Sequence, residues 1–358
     1  MPANGLMLRL ARQKKQLSQI DAAAKLGIEQ SMLSRLENGL AEAREEILVR
    51  ASDVYDMPIS FFFLTDPIYG APVSVHPMWR RKADVSGREM DAVIAELNIR
   101  VIHLRRLLEG AEYVHATDVP RLDIEDYGSP ESIAGILRAH WKVPAGPIRD
   151  LTLLVERAGI IVAHSPLSGA SISGVTFATP GMPPLIVLNS DQPADRLRFT
   201  LAHELGHMVM HRFPTPNMED EANNFASALL LPANEISSYF FGRRIDLGFL
   251  AALKTEWKVS MQSLLMRATS LGFVSDNQAQ YLWRQISARG FRLREPPELD
   301  FPAEKPTVLD SLLQVHKDAL KYSDAELAKL LHLFEPDLRQ QYRLSPKKVE
   351  RPRIAVIK

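Results

Sequence analysis

Apolar positions recur at three- and four-residue spacing along most of the chain, and one stretch departs from that rhythm. Between Leu17 and Gly39, the sequence LSQIDAAAKLGIEQSMLSRLENG puts Ala22, Ala23, Leu26, Ile28, Leu33 and Leu36 on the inner faces of two short helices. The expected spans are Gln19–Leu26 and Gln30–Glu37, with Ser18 as N-cap and Gly27 at the turn. A longer helix is expected over about 86–112, where Met90, Val93, Ile94, Leu97, Val101, Leu104 and Leu108 share a face. It reads as a spacer or a dimer contact. Ser129-Pro130-Glu131 opens another helix, and one more follows near 148–158. The rhythm then breaks into three β-branched runs, GIIVAH, SISGVTF and PLIVLNS, separated by Gly and Pro as strands are. From Asn189 to about Arg289 the pattern is helical again. Proline clusters follow, then two amphipathic helices near 307–321 and 323–335 and a basic end.

The pattern predicts a mainly helical α+β protein with one small sheet, in four consecutive blocks. Residues 1–66 form a compact helical domain, and 67–128 a linker and spacer helix. Residues 129–295 form the main domain, and 296–358 a C-terminal pair of helices with a cationic tail. Composition narrows the function. The 358 residues include no cysteine, which excludes a disulfide scaffold, a thiol nucleophile, a thiolate zinc site and an iron–sulfur cluster. A metal would have to be held by His, Asp or Glu. The 43 basic and 43 acidic side chains cancel, which argues against coating nucleic acid by bulk charge. The opening MPANGLMLRLARQKK lacks a signal-peptide core, and no run reaches 18 apolar residues. A cytoplasmic protein without membrane contact is expected.

The second short helix would present Gln30, Ser31, Ser34 and Arg35 outward. Gln and Arg have the donor geometry to read adenine and guanine edges in the major groove. Up to Gly39 the cations are Arg9, Arg12, Lys14, Lys15, Lys25 and Arg35, and the anions Asp21, Glu29 and Glu37. That surplus is modest, and Glu42, Glu45 and Glu46 offset much of it, so tight binding would need a homodimer on a two-fold operator. The plainer reading is a helical hairpin used only for dimerisation. The spacing from Leu17-Ser18-Gln19 through Gly27 to Ser34-Arg35-Leu36-Glu37-Asn38-Gly39 resembles Xre/Cro-type DNA-binding domains over about residues 5–66. That resemblance implies that Gln19 touches a phosphate and that Gln30, Ser31, Ser34 and Arg35 face the bases.

A second motif lies at FTLAHELGHMVMH. His203 and His207 are four apart, which on a helix leaves them about 40° apart and about 6 Å along the axis. Both imidazoles can reach one ion. Glu204 between them can take a proton from a water that the metal acidifies. A catalytic zinc needs a third protein ligand, and the next helix, EDEANNFASALLLP, offers three acids. Glu221 shares its face with Phe225, Ala228 and Leu229, whereas Asp220 aligns with Asn223, Asn224 and Ser227. Glu219 falls between, with Ala222 and Ala226. Glu221 is therefore the expected ligand, with Glu219 next. His211 is expected to support the site or face substrate rather than bind metal. Asn189 either binds substrate backbone or caps the segment after it. The oxyanion donor could be His211, Tyr239, His164 or Arg243.

Residues from about 130 to 290 resemble ImmA/IrrE-type zinc peptidases. The resemblance rests on Asn189, on Phe199–His207 with His211, on Glu221-Ala222-Asn223 with Phe225-Ala226, and on Leu230-Leu231-Pro232. It implies a gluzincin-like fold, Zn2+ as cofactor, and cleavage of a repressor or other regulatory protein in a stress or mobile-element switch. The rival reading is a regulator whose metal domain senses or assembles without cutting. A third is a switch in which metal binding alters DNA affinity.

Overall fold

The computed structural model describes residues 2–70, 87–167 and 172–342. Most of the expected linker after Gly70, the basic cluster Trp79-Arg80-Arg81-Lys82 and the cationic tail from residue 343 lie outside the described residues. The chain divides into two compact units. One comprises Met1–Pro67, Ile102–Ala111 and Leu313–Lys358, the other Ile68–Val101 and Glu112–Leu312. This differs from four consecutive blocks, because the chain returns to units that it has left. The helix Gly87–Gly110 contributes to both. Its residues 97–104 are all buried.

In the first unit, α1 (Gly5–Lys14), α2 (Gln19–Leu26), α3 (Gln30–Glu37) and α4 (Glu45–Tyr55) enclose a core of Met7, Leu8, Ala22, Leu26, Leu33, Leu36, Tyr55, Phe61 and Phe62. Ser18 accepts from the Asp21 amide, and Gly27 caps α2 in the left-handed region at φ 65°. Ile28 is only half-buried. Numbering on along the chain, the long Gly87–Gly110 helix is α5. Asp66 receives Arg105 at 2.8 Å and Arg106 at 2.6 Å from its last turns. The C-terminal helices belong to this unit too: His332 Nδ1 lies 3.0 Å from Ser60 Oγ, and His103 Nδ1 2.8 Å from Tyr342 Oη.

In the second unit, the short α6 (Ile124–Tyr127) precedes α7 (Pro130–His140) and α8 (Leu151–Arg157). The three runs form β1 (Ile161–Ser165), β2 (Gly174–Phe177) and β3 (Leu185–Asn189). Their order is β1-β3-β2, with β1 parallel and β2 antiparallel to β3. The sheet packs on α9 (Ala194–Met210), and α9 packs on α10 (Met218–Leu230). Two glycines permit these approaches. A Cβ on Gly174 would lie 2.6 Å from Thr200 Cγ2, and one on Gly206 would lie 2.9 Å from Phe225 Cδ1. Four further helices complete the core: α11 (Ala233–Phe240), α12 (Leu247–Trp257), α13 (Met261–Ser270) and α14 (Asp276–Ala288). α9 is buried nearly all round, yet its buried set includes Asp195, Arg198, Thr200, His203, Glu204 and His207. Polar side chains at such depth need partners or a function.

Candidate metal centre and DNA-reading face

The four-residue spacing on α9 brings His203 and His207 together, with their Nε2 atoms 3.0 Å apart. The carboxylate that meets them is Glu219, from the first turn of α10. Its oxygens lie 3.6 Å from His203 Nε2 and 3.3 Å from His207 Nε2. One atom from each of the three residues lies within 4.8 Å of the others. Glu221, expected as the third ligand, instead meets His211 Nε2 at 3.0 Å. The reason is that α10 packs on two neighbours, α9 and α7. Its buried surface therefore wraps beyond one stripe, and apolar neighbours alone do not mark the acid that meets the histidines. Ala222 and Phe225 lie against Gly206 of α9, and Glu219, one turn before Ala222, continues that contact towards the pair.

Each imidazole is held by its other nitrogen. His203 Nδ1 lies 2.9 Å from Asn223 Oδ1, and His207 Nδ1 lies 3.0 Å from His211 Nδ1. An amide oxygen only accepts, so His203 carries a proton on Nδ1; its Nε2 faces Glu219, donating to that carboxylate while the ring is protonated and offering a lone pair to a cation once it is neutral. If His207 does the same, it donates to His211 Nδ1, and His211 in turn donates from Nε2 to Glu221. The series is then consistent from the cluster outward to Glu221. Neither Asn223 nor Thr176 figured among the sequence candidates. Asn223 was legible only after Glu219, since the two are four apart and share a face. Nothing in SISGVTF pointed to Thr176, which donates to Glu204 Oε2 at 2.7 Å. It lies two residues beyond Gly174 on the same strand, so the glycine that lets β2 approach α9 also brings this hydroxyl into reach.

The electrostatics follow the geometry. Burial alone would lower the His203 pKa, but the hydrogen bond to Glu219 and the Glu204 charge outweigh it and hold the imidazole above its usual range. Burial would raise Glu219, yet the two histidines bring it down to about 2. His211 is pushed below its usual value by burial and the His207 charge, against the pull of Glu221. Glu204 Oε1 and Glu219 Oε1 are buried without a hydrogen-bond partner among the described residues. Two such carboxylate oxygens beside two inward-facing ring nitrogens fit a cation, and the all-His/carboxylate donor set suits zinc.

None of the other candidates is a member of this cluster. Asn189 is buried, accepts from the Leu167 and Asp191 amides at 3.3 and 3.2 Å, and donates to Ile172 O at 3.2 Å. It ties Leu167, Ile172 and Asp191 to the end of β3, an arrangement of the capping kind. Tyr239 donates to Glu256 at 2.7 Å. Arg243 is exposed, and His164 lines a small cavity with Thr152 and Glu304.

The second candidate surface lies on α3. Gln30, Ser31 and Arg35 are exposed, whereas Ser34 is half-buried, with Asn38 donating to its carbonyl at 2.8 Å. Gln19 is half-buried in a series of bonds. Gln30 Nε2 donates to Gln19 Oε1 at 2.8 Å, and Gln19 Nε2 donates to Glu37 Oε2 at 2.8 Å. Glu37 also holds Arg12 in a buried two-point pair at 2.6 and 3.0 Å. The starts of α2 and α3 are thereby fixed relative to each other, which is what a rigid reading helix requires.

A helix-borne histidine pair, an intervening glutamate and a carboxylate from the next helix form an arrangement of the kind metal-dependent hydrolases use. The comparisons agree. A peptidase family model, described as an IrrE N-terminal-like domain, matches residues 155–269, a span that takes in the sheet, α9 and α10. A second model, described as helix-turn-helix, matches residues 8–62. The chain is thus similar to a helix-turn-helix domain over its first part and to an IrrE N-terminal-like peptidase domain over the part that holds the cluster. No curated protein matches it. Among the described residues, no helix is long and apolar enough to cross a membrane.

Proposed function

We propose that this protein is a zinc-dependent endopeptidase and DNA-binding regulator, whose substrate is a repressor or other regulatory protein. The observation that carries the catalytic half is the buried His203–His207–Glu219 cluster, with Glu204 Oε1 buried and without a hydrogen-bond partner among the described residues. His203, His207 and Glu219 would hold the ion. Bound there, zinc would supply Lewis acidity to a peptide carbonyl and to water. Glu204 acts as the base. Thr176 engages its Oε2 and leaves Oε1 to accept the proton, which Glu204 then passes to the leaving amine. His211 and Glu221 orient His207, as Asn223 orients His203.

The exposed residues of α3 support the DNA-binding half, with Gln30, Ser31 and Arg35 reaching bases and a homodimer occupying a two-fold operator. Gln19 is bonded to Glu37 and Gln30, so its part in this reading is to set the angle of Gln30 as well as to approach a phosphate.

The test of the catalytic half pairs wild type with Glu204→Gln, both loaded with one zinc, against candidate regulators expressed from the same genome. Cleavage by wild type only is expected. Equal cleavage by both would remove Glu204 as base, and no zinc uptake by wild type would remove the metal site itself.

A further inference from the structure

A second cavity lies beside the metal centre and shares none of its ligands. It encloses about 460 Å³ and is bounded by α9, α10, α13, α14 and the segment after α14. Volumes of roughly 300–1,000 Å³ are usual for small-molecule sites, which combine apolar walls with a few placed polar groups. Here the apolar wall is Phe199, Met266, Trp283 and Phe291. The hydroxyls of Ser227 and Ser263 stand among them.

The charge of the lining can be resolved pair by pair. Asp195 and Glu295 share the single buried Lys254, which bonds Asp195 and lies 2.9 Å from Glu295, so these three groups carry one net negative charge. Asp300 is paired with Arg294 at 3.0 Å. Arg196 and Arg292 outweigh that charge and leave the lining with one net positive charge. Arg292 lies over the Trp283 ring, 5.2 Å from its centroid, so a cation and a flat aromatic face are presented together.

We infer that this cavity is a binding site for a small amphipathic anion, with a flat or acyl apolar body against Trp283 and Phe291 and an acidic group at Arg196 and Arg292. It is not the peptide cleft. None of His203, Glu204, His207, Glu219 or Thr176 lines it. It lies on the far side of His203: the wall residue Asn223 takes the Nδ1 edge of that ring, while the Nε2 edge faces Glu219. Asn223 is the lining residue that bonds His203, and through it a ligand in the cavity bears on the metal centre. This coupling rests on the zinc reading above, whereas binding of the anion does not.

The probe is 1-anilinonaphthalene-8-sulfonate, an aromatic sulfonate, titrated by fluorescence into the folded full-length protein. One saturable site is expected. Two bulky substitutions on different helices, Ser263→Trp and Ser227→Phe, should each abolish it with unchanged circular dichroism. The double variant Arg196→Ala/Arg292→Ala should weaken it by about tenfold or more at low salt. Affinity unmoved by all three variants would overturn the site, as would several equivalent weak sites. Saturating probe should also shift zinc affinity, measured by chelator competition, in wild type and not in Ser263→Trp. An unshifted zinc affinity would overturn the coupling, and failure to bind zinc at all would strike the zinc reading while leaving the probe titration to decide the cavity.

Discussion

The exposed face of α3 and the buried face of α9 each gather their candidate groups from residues three and four apart on one helix, but they are built in opposite ways. On α3 the candidate groups Gln30, Ser31 and Arg35 are exposed, and burial fixes their support, through Arg12 and Glu37. On α9 the candidate groups are themselves buried, and their partners come from β2 and α10. The first arrangement is nearly complete within 40 residues of chain. The second depends on which neighbour each face of each helix meets. Local sequence therefore specifies the first in detail and the second only in part.

The contrast is sharpest in the acids of α10. Glu219→Gln should abolish stoichiometric zinc binding, whereas Glu221→Gln should reduce affinity by about tenfold through its hold on His211. Elemental analysis with chelator competition separates them, and the reverse order would restore Glu221 as the ligand. Next in size, Arg12→Ala leaves Glu37 buried without its cation. It should cost about 3–5 kcal/mol in the first unit, read as a loss of α1–α4 structure in denaturant titrations. Zinc binding should survive, because the site lies wholly in the other unit.

A smaller effect tests the outer bonds of the metal site. His211→Phe removes the acceptor for His207 Nδ1–H and should weaken zinc by about 10–100-fold. His211→Asn, which keeps an acceptor near that place, should largely restore it; equal losses in both would mean that His211 serves packing alone. On the reading face, Gln30→Ala or Arg35→Ala should each cost about 1–3 kcal/mol of operator discrimination in salt-controlled binding assays and leave zinc affinity unchanged.

The mildest effect is that of pH. His203 holds its proton above the usual histidine range, so protons compete with the ion from a higher pH than they would at a free imidazole. Zinc affinity should fall as pH drops from 8 to 5. Glu219, at about 2, stays ionised throughout and adds no further dependence. A flat affinity profile over that interval would place the ion elsewhere.

What the sequence determined by itself was whatever depends on neighbours within a few residues. The bounds of α2 and α3, the left-handed turn at Gly27, the three strands, the His203/His207 pair and the intervening Glu204 all follow from spacing, caps and β-branching. The tertiary structure alone decided which of three adjacent acids turns inward, because α10 is buried against two helices and periodicity cannot say which one bears the histidines. It also decided that Thr176 reaches Glu204, a contact across 28 residues made possible by the missing side chain of Gly174. The grouping of the C-terminal helices with the first unit was equally out of reach, since nothing in local pattern records where a chain returns.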